Sequence, residues 1–376
     1  MIEGRWPAST ICAVMLVGIV GVLIAGLQPQ LLGALATEGR LSTNQLGVTA
    51  TIELLAMGLA AGGTGLLIKP VRLRALAVAA TIIVAATDIL TPSLTGGEIM
   101  AARVVAGLAS GVLIWITIGL IARTAVPERW AGIYLMTQTL AQLAVATALA
   151  GAIPAFGARG GFVAVGTVSL IALFCVPFLP RAYPPLERDG DSTSLPPRAG
   201  LAALASVLIY LAFVVALWVY LEPLATENGI DAATVARAVP IGLAAQVAGA
   251  LLATLLVGRI NALWVVLAVA VANIALLALF GSGPGAIVFL AATGAFGLLW
   301  MFVMPFQLEL VITADPSRRA ATLIGGAQLI GSSLGPLLAS RVVDDRHVGA
   351  ILWLGAACIL ASMAAMLAAL RYRARA

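Results

Sequence analysis

Charge is scarce in this chain. Lys, Arg, Asp and Glu make up only 10% of its 376 residues, against 62% hydrophobic, and the mean hydropathy is +1.09. A soluble chain of this length has too little interior to hide so much apolar surface, so a water-soluble globular protein is excluded. Histidine is scarcer still. His347 is the only one, which removes a His-based metal site and a His-dependent catalytic triad. The three cysteines, Cys12, Cys175 and Cys358, fall inside apolar runs, where a free thiol behaves as a small hydrophobe, and no disulfide framework is implied. No P-loop pattern occurs, which argues against an ATP-driven pump, and GGTG at 62 to 65 is too short for a nucleotide fingerprint. With no nucleophile, metal or cofactor constellation in view, the expectation is a protein that is not an enzyme and needs no cofactor.

What the chain does have is about twelve long apolar runs, near 9–34, 46–68, 75–91, 98–122, 131–153, 161–179, 201–224, 237–258, 262–281, 285–312, 320–341 and 348–370. Spanning hydrocarbon takes about 20 apolar residues per helix, and the backbone must satisfy its own hydrogen bonds there. The runs are too long and too little alternating for transmembrane strands. Ala34-Leu35-Ala36 resembles a signal-peptidase site, but the run before it is long enough to span and reads as a retained helix. The expected fold is an all-α membrane protein with about twelve transmembrane helices.

RAYPPLERDGDSTSLPPRAG, residues 181–200, is the one long polar, Pro-rich stretch. It cannot bury enough apolar surface to fold alone. It therefore reads as a linker between a six-helix bundle at 1–180 and another at 201–376. With the N-terminus inside, the breaks on that side hold 15 of the 21 Lys and Arg, and the other side holds only Arg40, Arg159, Arg341 and Arg346. That asymmetry places both termini and the linker in the cytoplasm, at a plasma membrane of bacterial inner-membrane type. The formal charge of +5 is a product of the same rule and does not imply nucleic acid.

The halves look like copies. LATEGRLS at 35–42 and LATENGID at 224–231 are offset by 189 residues, and PERWA at 127–131 falls on PSRRA at 316–320 with the same offset. Two landmarks sharing one offset favour an internal parallel repeat, and an even number of helices per unit gives both copies one orientation. Leu27-Gln28-Pro29 and Leu221-Glu222-Pro223 are alike at an offset of 194, so either the halves differ by about five residues there or one of the matches is coincidental. The Glu38 and Glu227 of the two LATE segments are register marks with no binding role.

Two pseudo-symmetric six-helix halves, the long inner linker, a basic break after the second run and an Arg-containing fourth run together resemble the major facilitator superfamily of secondary transporters, over essentially the whole chain. In the break, GLLIKPVRLR from Gly65 to Arg74 is similar to the family's loop, with Gly65, Arg72 and Arg74 in place and Lys69 where an acidic residue belongs. The resemblance makes these four gate or conformational candidates, and Glu222 joins them as the polar neighbour of Pro223, whose ring frees a backbone carbonyl four residues earlier. Arg103-Val-Val-Ala-Gly107-Leu-Ala-Ser-Gly111 resembles the pattern that the family associates with proton coupling. The family's antiporter-type Gly-Pro pattern is missing from the fifth run, and a partial version, Gly331-Ser-Ser-Leu-Gly335-Pro336, stands in the eleventh.

A charge near the bilayer centre costs about 2.5 to 3.5 kcal/mol on insertion scales, so each survivor needs a partner, water or a function. Glu53 and Arg103 lie at nearly the same depth in the second and fourth runs. They read either as a structural ion pair or as a pair that opens when Glu53 takes up a proton. Asp88 and Glu98 flank a short outer loop and read as solvated. Tyr134, Gln138 and Gln142 form one stripe on the fifth run, and Trp300, Met304 and Gln307 share a face of the tenth. The resemblance makes the first, fourth, seventh and tenth helices central to a cavity, to which this chain brings Gln28, Gln30, Trp115, Trp218, Tyr220 and Trp300. Aromatic walls with a few amides suit a small hydrophobic or aromatic molecule.

The expectation is thus a proton-coupled secondary transporter exporting such a molecule. The alternatives are proton-coupled uptake of an organic anion held by Arg103, and a lipid-handling or receptor-like membrane protein that transports nothing. The partners implied are a small-molecule substrate, protons and the lipid bilayer, with oligomeric state left open. Exchanging Lys69 for Asp is expected to shift the balance of inward- and outward-open forms, read by site-directed accessibility labelling, without changing which substrate is chosen; an unshifted labelling pattern would count against a gating role.

Overall fold

The computed structural model describes residues 6–124, 127–184, 195–317, 319–344 and 347–374. Helices follow one another along the whole of it: α1 Ala8–Thr37, α2 Thr43–Leu67, α3 Leu73–Leu90, α4 Gly96–Ile121, α5 Pro127–Ile171, α6 Arg198–Val219, α7 Leu221–Glu227, α8 Ala232–Leu256, α9 Ala262–Gly281, α10 Ala286–Ala314, α11 Arg319–Val342 and α12 Ala350–Ala374, with short 3-10 segments at Thr91–Ser93 and Ala172–Phe178. Among the described residues the only β feature is an isolated bridge between Val71 and Ala182. Among the described residues, eleven helices are long and apolar enough to cross a membrane. One of these spans, Arg129–Phe178, has 50 residues. At about 1.5 Å per residue it is more than twice as long as hydrocarbon is thick, and it turns at Gly157, whose φ of 65° is open to glycine. It therefore supplies both the fifth and the sixth crossing, and all twelve apolar runs are helical.

The seventh run departs from expectation. Instead of continuing to residue 224, α6 stops at Val219 and the chain bends at Tyr220 before α7. Pro223 lies four residues beyond Val219, and its ring excludes the carbonyl at that spacing. Pro29 does not have this effect, because α1 runs on to Thr37.

The repeat is real in the turns but differs by one residue from the letters. After α1, Arg40 N–H reaches Leu35 O at 2.9 Å and Gly39 sits at φ 70°; after α7, Ile230 N–H reaches Ala225 O at 3.0 Å and Gly229 sits at φ 69°. Both are glycine-closed helix ends, and they are 229 minus 39, or 190, residues apart. The two LATE segments are thus out of structural register by one. Their glutamates nonetheless do the same work: Glu38 accepts from Ala158 N–H at 2.6 Å, and Glu227 from Gly349 N–H at 2.6 Å. Each carboxylate ties the end of its half's first crossing to the free amides at the start of that half's last crossing.

Two compact units result, Met1–Ser42 with Ile52–Arg188, and Thr43–Thr51 with Asp189–Ala376. In the first, α1, α3, α4 and residues 172–183 share an apolar core around Val17, Leu113, Ile116 and Leu120. Residues 179–184 lie across the break between α2 and α3: Tyr183 N–H donates to Pro70 O, Leu73 N–H to Arg181 O, and Arg74 Nε to Leu179 O at 2.7 Å. In the second unit, glycines let helices touch backbone to backbone. A Cβ on Gly297 would overlap the Gly242 carbonyl, and Cβ atoms on Gly331 and Gly335 would overlap Leu208 and Ala212. The partial Gly-Pro pattern of the eleventh run is therefore a packing seam between α11 and α6.

Removing either glutamate tie, as Glu38→Ala or Glu227→Ala, is expected to cost about 1 kcal/mol, a charge-assisted hydrogen bond discounted for partial exposure. Because the two ties lie in separate units, the double variant should show the sum in detergent unfolding; losses that fail to add would show that the ties are not independent.

Candidate functional site

The fourth crossing begins with a capping box, in which Thr95 and Glu98 exchange side-chain and backbone hydrogen bonds. Glu98 is exposed, as the sequence implies. From that fixed start, Arg103, Gly107 and Gly111 follow at four-residue spacing along one face of α4. A Cβ on Gly107 would overlap the Glu53 carbonyl oxygen, and one on Gly111 the Met57 carbonyl oxygen. Only glycine lets α2 lie this close, and closeness is what brings Glu53 to Arg103.

The pair forms in the first unit, buried. Arg103 Nε donates to Glu53 Oε1 at 3.0 Å, and Nη2 lies 2.8 Å from the same oxygen, with both side chains 0% exposed. Glu53 Oε2 accepts from Gln28 Nε2 at 3.3 Å. The Phe162 ring lies over the guanidinium, 5.7 Å from its carbon.

A third charge, expected to be solvated, is part of the cluster. Asp88 is 1% exposed, and its Oδ1 accepts from Arg103 Nη1 at 2.7 Å, with Thr91 Oγ1 3.4 Å from the same nitrogen. Proximity to a loop was the wrong guide. The buried face of α3 runs Ala77, Ala80, Thr81, Val84, Ala85, Asp88, a small-residue stripe at three- and four-residue spacing that leads straight to the carboxylate. That stripe was the available signal.

The arrangement has an unequal count of charge. Two carboxylates face one guanidinium, and all three are shielded from solvent. Fully ionised, the cluster carries one uncompensated negative charge in a low-dielectric interior, where a missing counter-charge is expensive. One bound proton removes it. Among the described residues no group of three His, Cys, Asp or Glu gathers as a metal site.

A model of the family described as Major Facilitator Superfamily matches residues 8–340. The chain belongs to the major facilitator superfamily. Curated proteins yield no match. Among solved structures, the superfamily member resembles a D-xylose–proton symporter, with TM-score 0.72, 14% identity and 96% of each chain covered. A variant of the nucleoside transporter NupG gives 0.71 at 13% identity, covering 96% of this chain and 99% of that one. An inward-facing, occupied bacterial homologue of the human lysosomal transporter Spinster gives 0.61 at 15%, covering 99% and 96%. At these identities the likeness is one of fold.

The remaining candidates of this superfamily member fall into three groups. Tyr134, Gln142 and Gln30 tie α1 to α5: Tyr134 Oη donates to Gly18 O at 2.9 Å, Gln142 Nε2 to Val22 O at 2.8 Å, and Gln30 Nε2 to Ala146 O at 3.1 Å. Gln138, on the same helix, is half-buried, and Trp115 packs at the edge of the first unit's core. In the second unit, Trp218 and Trp300 meet edge to face at 5.8 Å and continue through Phe296 to Phe213 and Tyr210. Gln307 is 1% exposed, and Met304 and Glu222 are half-buried. Tyr220 Oη donates to Thr43 O at 3.0 Å, at the end of α2 that groups with that unit, beside Gly47. Of the gate candidates, Lys69 and Arg72 are exposed, Arg72 in a left-handed conformation, while Arg74 is committed to Leu179 O. Gly65 lies in α2, at a position whose surroundings are outside the described residues.

Arg103→Met alone leaves two buried carboxylates without a counter-charge and is expected to cost about 3 to 5 kcal/mol. The triple variant Glu53→Gln, Asp88→Asn, Arg103→Met should recover most of that stability in detergent unfolding. A triple variant no more stable than the single one would refute the charge argument.

Proposed function

We propose that this protein is a proton-coupled secondary transporter that moves a small hydrophobic or aromatic organic molecule by alternating access. The observation that carries the reading is the buried cluster of two carboxylates on one guanidinium: it changes its net charge by taking or losing one proton, and among the described residues of the first unit no other Asp, Glu, Lys or Arg is buried. The solved D-xylose–proton symporter, similar in fold, supports the choice of ion. In the second unit Tyr210, Phe213, Phe296 and Trp218 are buried behind Trp300, and the partly open Trp300 ring supports an apolar or aromatic substrate.

Arg103 speaks against the organic-anion reading. Its Nε and Nη2 lie 3.0 and 2.8 Å from Glu53 and its Nη1 2.7 Å from Asp88, so the guanidinium is already held by two carboxylates of the protein. The direction we assign is export. A hydrophobic molecule enters through a bilayer unaided, and coupling to a proton does useful work only against that leak. The Lys and Arg asymmetry supports cytoplasmic termini in a plasma membrane.

The test is flux in proteoliposomes with an imposed pH gradient, using a panel of fluorescent lipophilic aromatic compounds as probes. A gradient of about one pH unit is worth about 1.4 kcal/mol and should sustain roughly tenfold accumulation for one-to-one coupling. The triple variant Glu53→Gln, Asp88→Asn, Arg103→Met, which leaves no buried charge unpaired, should still exchange the probe without a gradient but lose the accumulation. Gradient-independent movement in the unmodified protein, or no movement of any probe, would sink the reading.

A further inference from the structure

The cluster holds two carboxylates that could take the proton, and their surroundings are not equivalent. Both oxygens of Glu53 are engaged by N–H donors: Oε1 by Arg103 and Oε2 by Gln28. These N–H donors favour the ionised form of Glu53, and a proton on either oxygen would weaken a bond already made there. Asp88 is different. Its Oδ1 accepts from Arg103, while Oδ2 is buried and, among the described residues, has no partner. A buried carboxylate oxygen that accepts no hydrogen bond is the costliest place in the cluster for negative charge, and a proton on it weakens no bond made at that oxygen.

We propose that the exchangeable proton of this protein resides on Asp88 Oδ2, with Glu53 remaining the ionised partner of Arg103. The inference refines the proton-coupling reading and rests on it for its consequence in transport. The step is a simple protonation. One proton from water bonds to Oδ2, neutralises the excess charge and later leaves from the same atom, and the Arg103 contact on Oδ1 stays in place throughout. With Asp88 neutral, Arg103 belongs to Glu53 as a balanced pair; with Asp88 ionised, the guanidinium is shared between two carboxylates. Among the described residues, the charged groups acting on Asp88 are Arg103 on α4 and Glu53 on α2. The other faces of the cluster present Gln28 from α1, Thr91 beyond α3 and the Phe162 ring from α5.

The sequence missed this assignment because it offered only one acid at the depth of Arg103. Asp88 enters by the fold, carried inward on the last turn of α3.

Infrared spectroscopy of the protein in lipid at neutral pH tests the assignment, in a Glu222→Gln background because burial pushes that carboxyl up to about 8; exposed carboxylates are then ionised and only a buried acid shows a protonated carbonyl band. The protein is prepared with heavy carbon in the side-chain carboxyls of either all aspartates or all glutamates. The acid band is expected to shift to lower frequency with the aspartate label alone, and to be absent from folded Asp88→Asn. Asp231 and Asp315 contribute nothing to it. Hydrogen bonds from Thr234 hold Asp231 below its ordinary range; burial works against ionised Asp315, but bonds from Ser317 and Ala320 outweigh it. A shift with the glutamate label, a shift with both labels, a band that survives in Asp88→Asn, or no acid band at all would overturn the proposal. If the aspartate band stands while the pH gradient drives no flux, the coupling reading fails and the proton site remains.

Discussion

Arg103 is wholly buried between helices of a membrane-spanning chain, and keeping a guanidinium there constrains everything near it. Its charge has to be met by carboxylates, its N–H groups have to be used, and the helices that carry its partners have to come close. Glu53 and Asp88 meet the first demand; with Thr91 they take hydrogen bonds from Nε and Nη1, while Nη2 lies 2.8 Å from Glu53 Oε1 without a hydrogen bond of its own. Gly107 and Gly111 meet the third by letting α2 rest on the backbone side of α4. The counter-charge exceeds the charge it answers, and this excess makes the cluster responsive to protons as well as structural.

The cluster is an asymmetric feature on a duplicated scaffold. At the 190-residue offset set by the helix-end turns, Gly107 corresponds to Gly297, and each glycine lets its helix approach the second crossing of its half. The charged positions have no charged counterparts: Glu53, Asp88 and Arg103 correspond to Leu243, Ala278 and Thr293, and Gln28 corresponds to Trp218. In the second unit the Trp218 ring packs where a side chain on Gly242 would lie, next to Thr293. A large apolar ring thus occupies in one half the place that a hydrogen-bonded charge cluster occupies in the other. Duplication supplied the geometry, and divergence separated titratable chemistry from aromatic packing.

Some site residues were legible because their signal is local. Glu53 and Arg103 stand out as charges in apolar runs, and their depth can be counted from the helix ends. The α5 stripe of Tyr134 and Gln142 was legible as a face, but which neighbour the face meets was not; in the structure it hydrogen-bonds the backbone of α1. Asp88 was misread because distance from a loop is a poor measure of burial. What decides burial is the direction of the last helical turn, and that depends on which helix packs beside it. The bend at Tyr220 was foreshadowed by Pro223, whose effect on the preceding turn is local, yet the same residue type at Pro29 leaves α1 unbroken.

Composition and hydropathy by themselves determined that this protein lives in a bilayer as twelve helices in two related halves, because hydrocarbon admits few backbone solutions and run lengths report them directly. The duplicated polar breaks showed the repeat, though letter matching placed it one residue from the register that hydrogen bonds define. Only the tertiary structure decided that two acids share one arginine, and which of their oxygens is left without a donor. Those facts depend on side chains from five crossings meeting at one point, and no spacing along the chain encodes such a meeting.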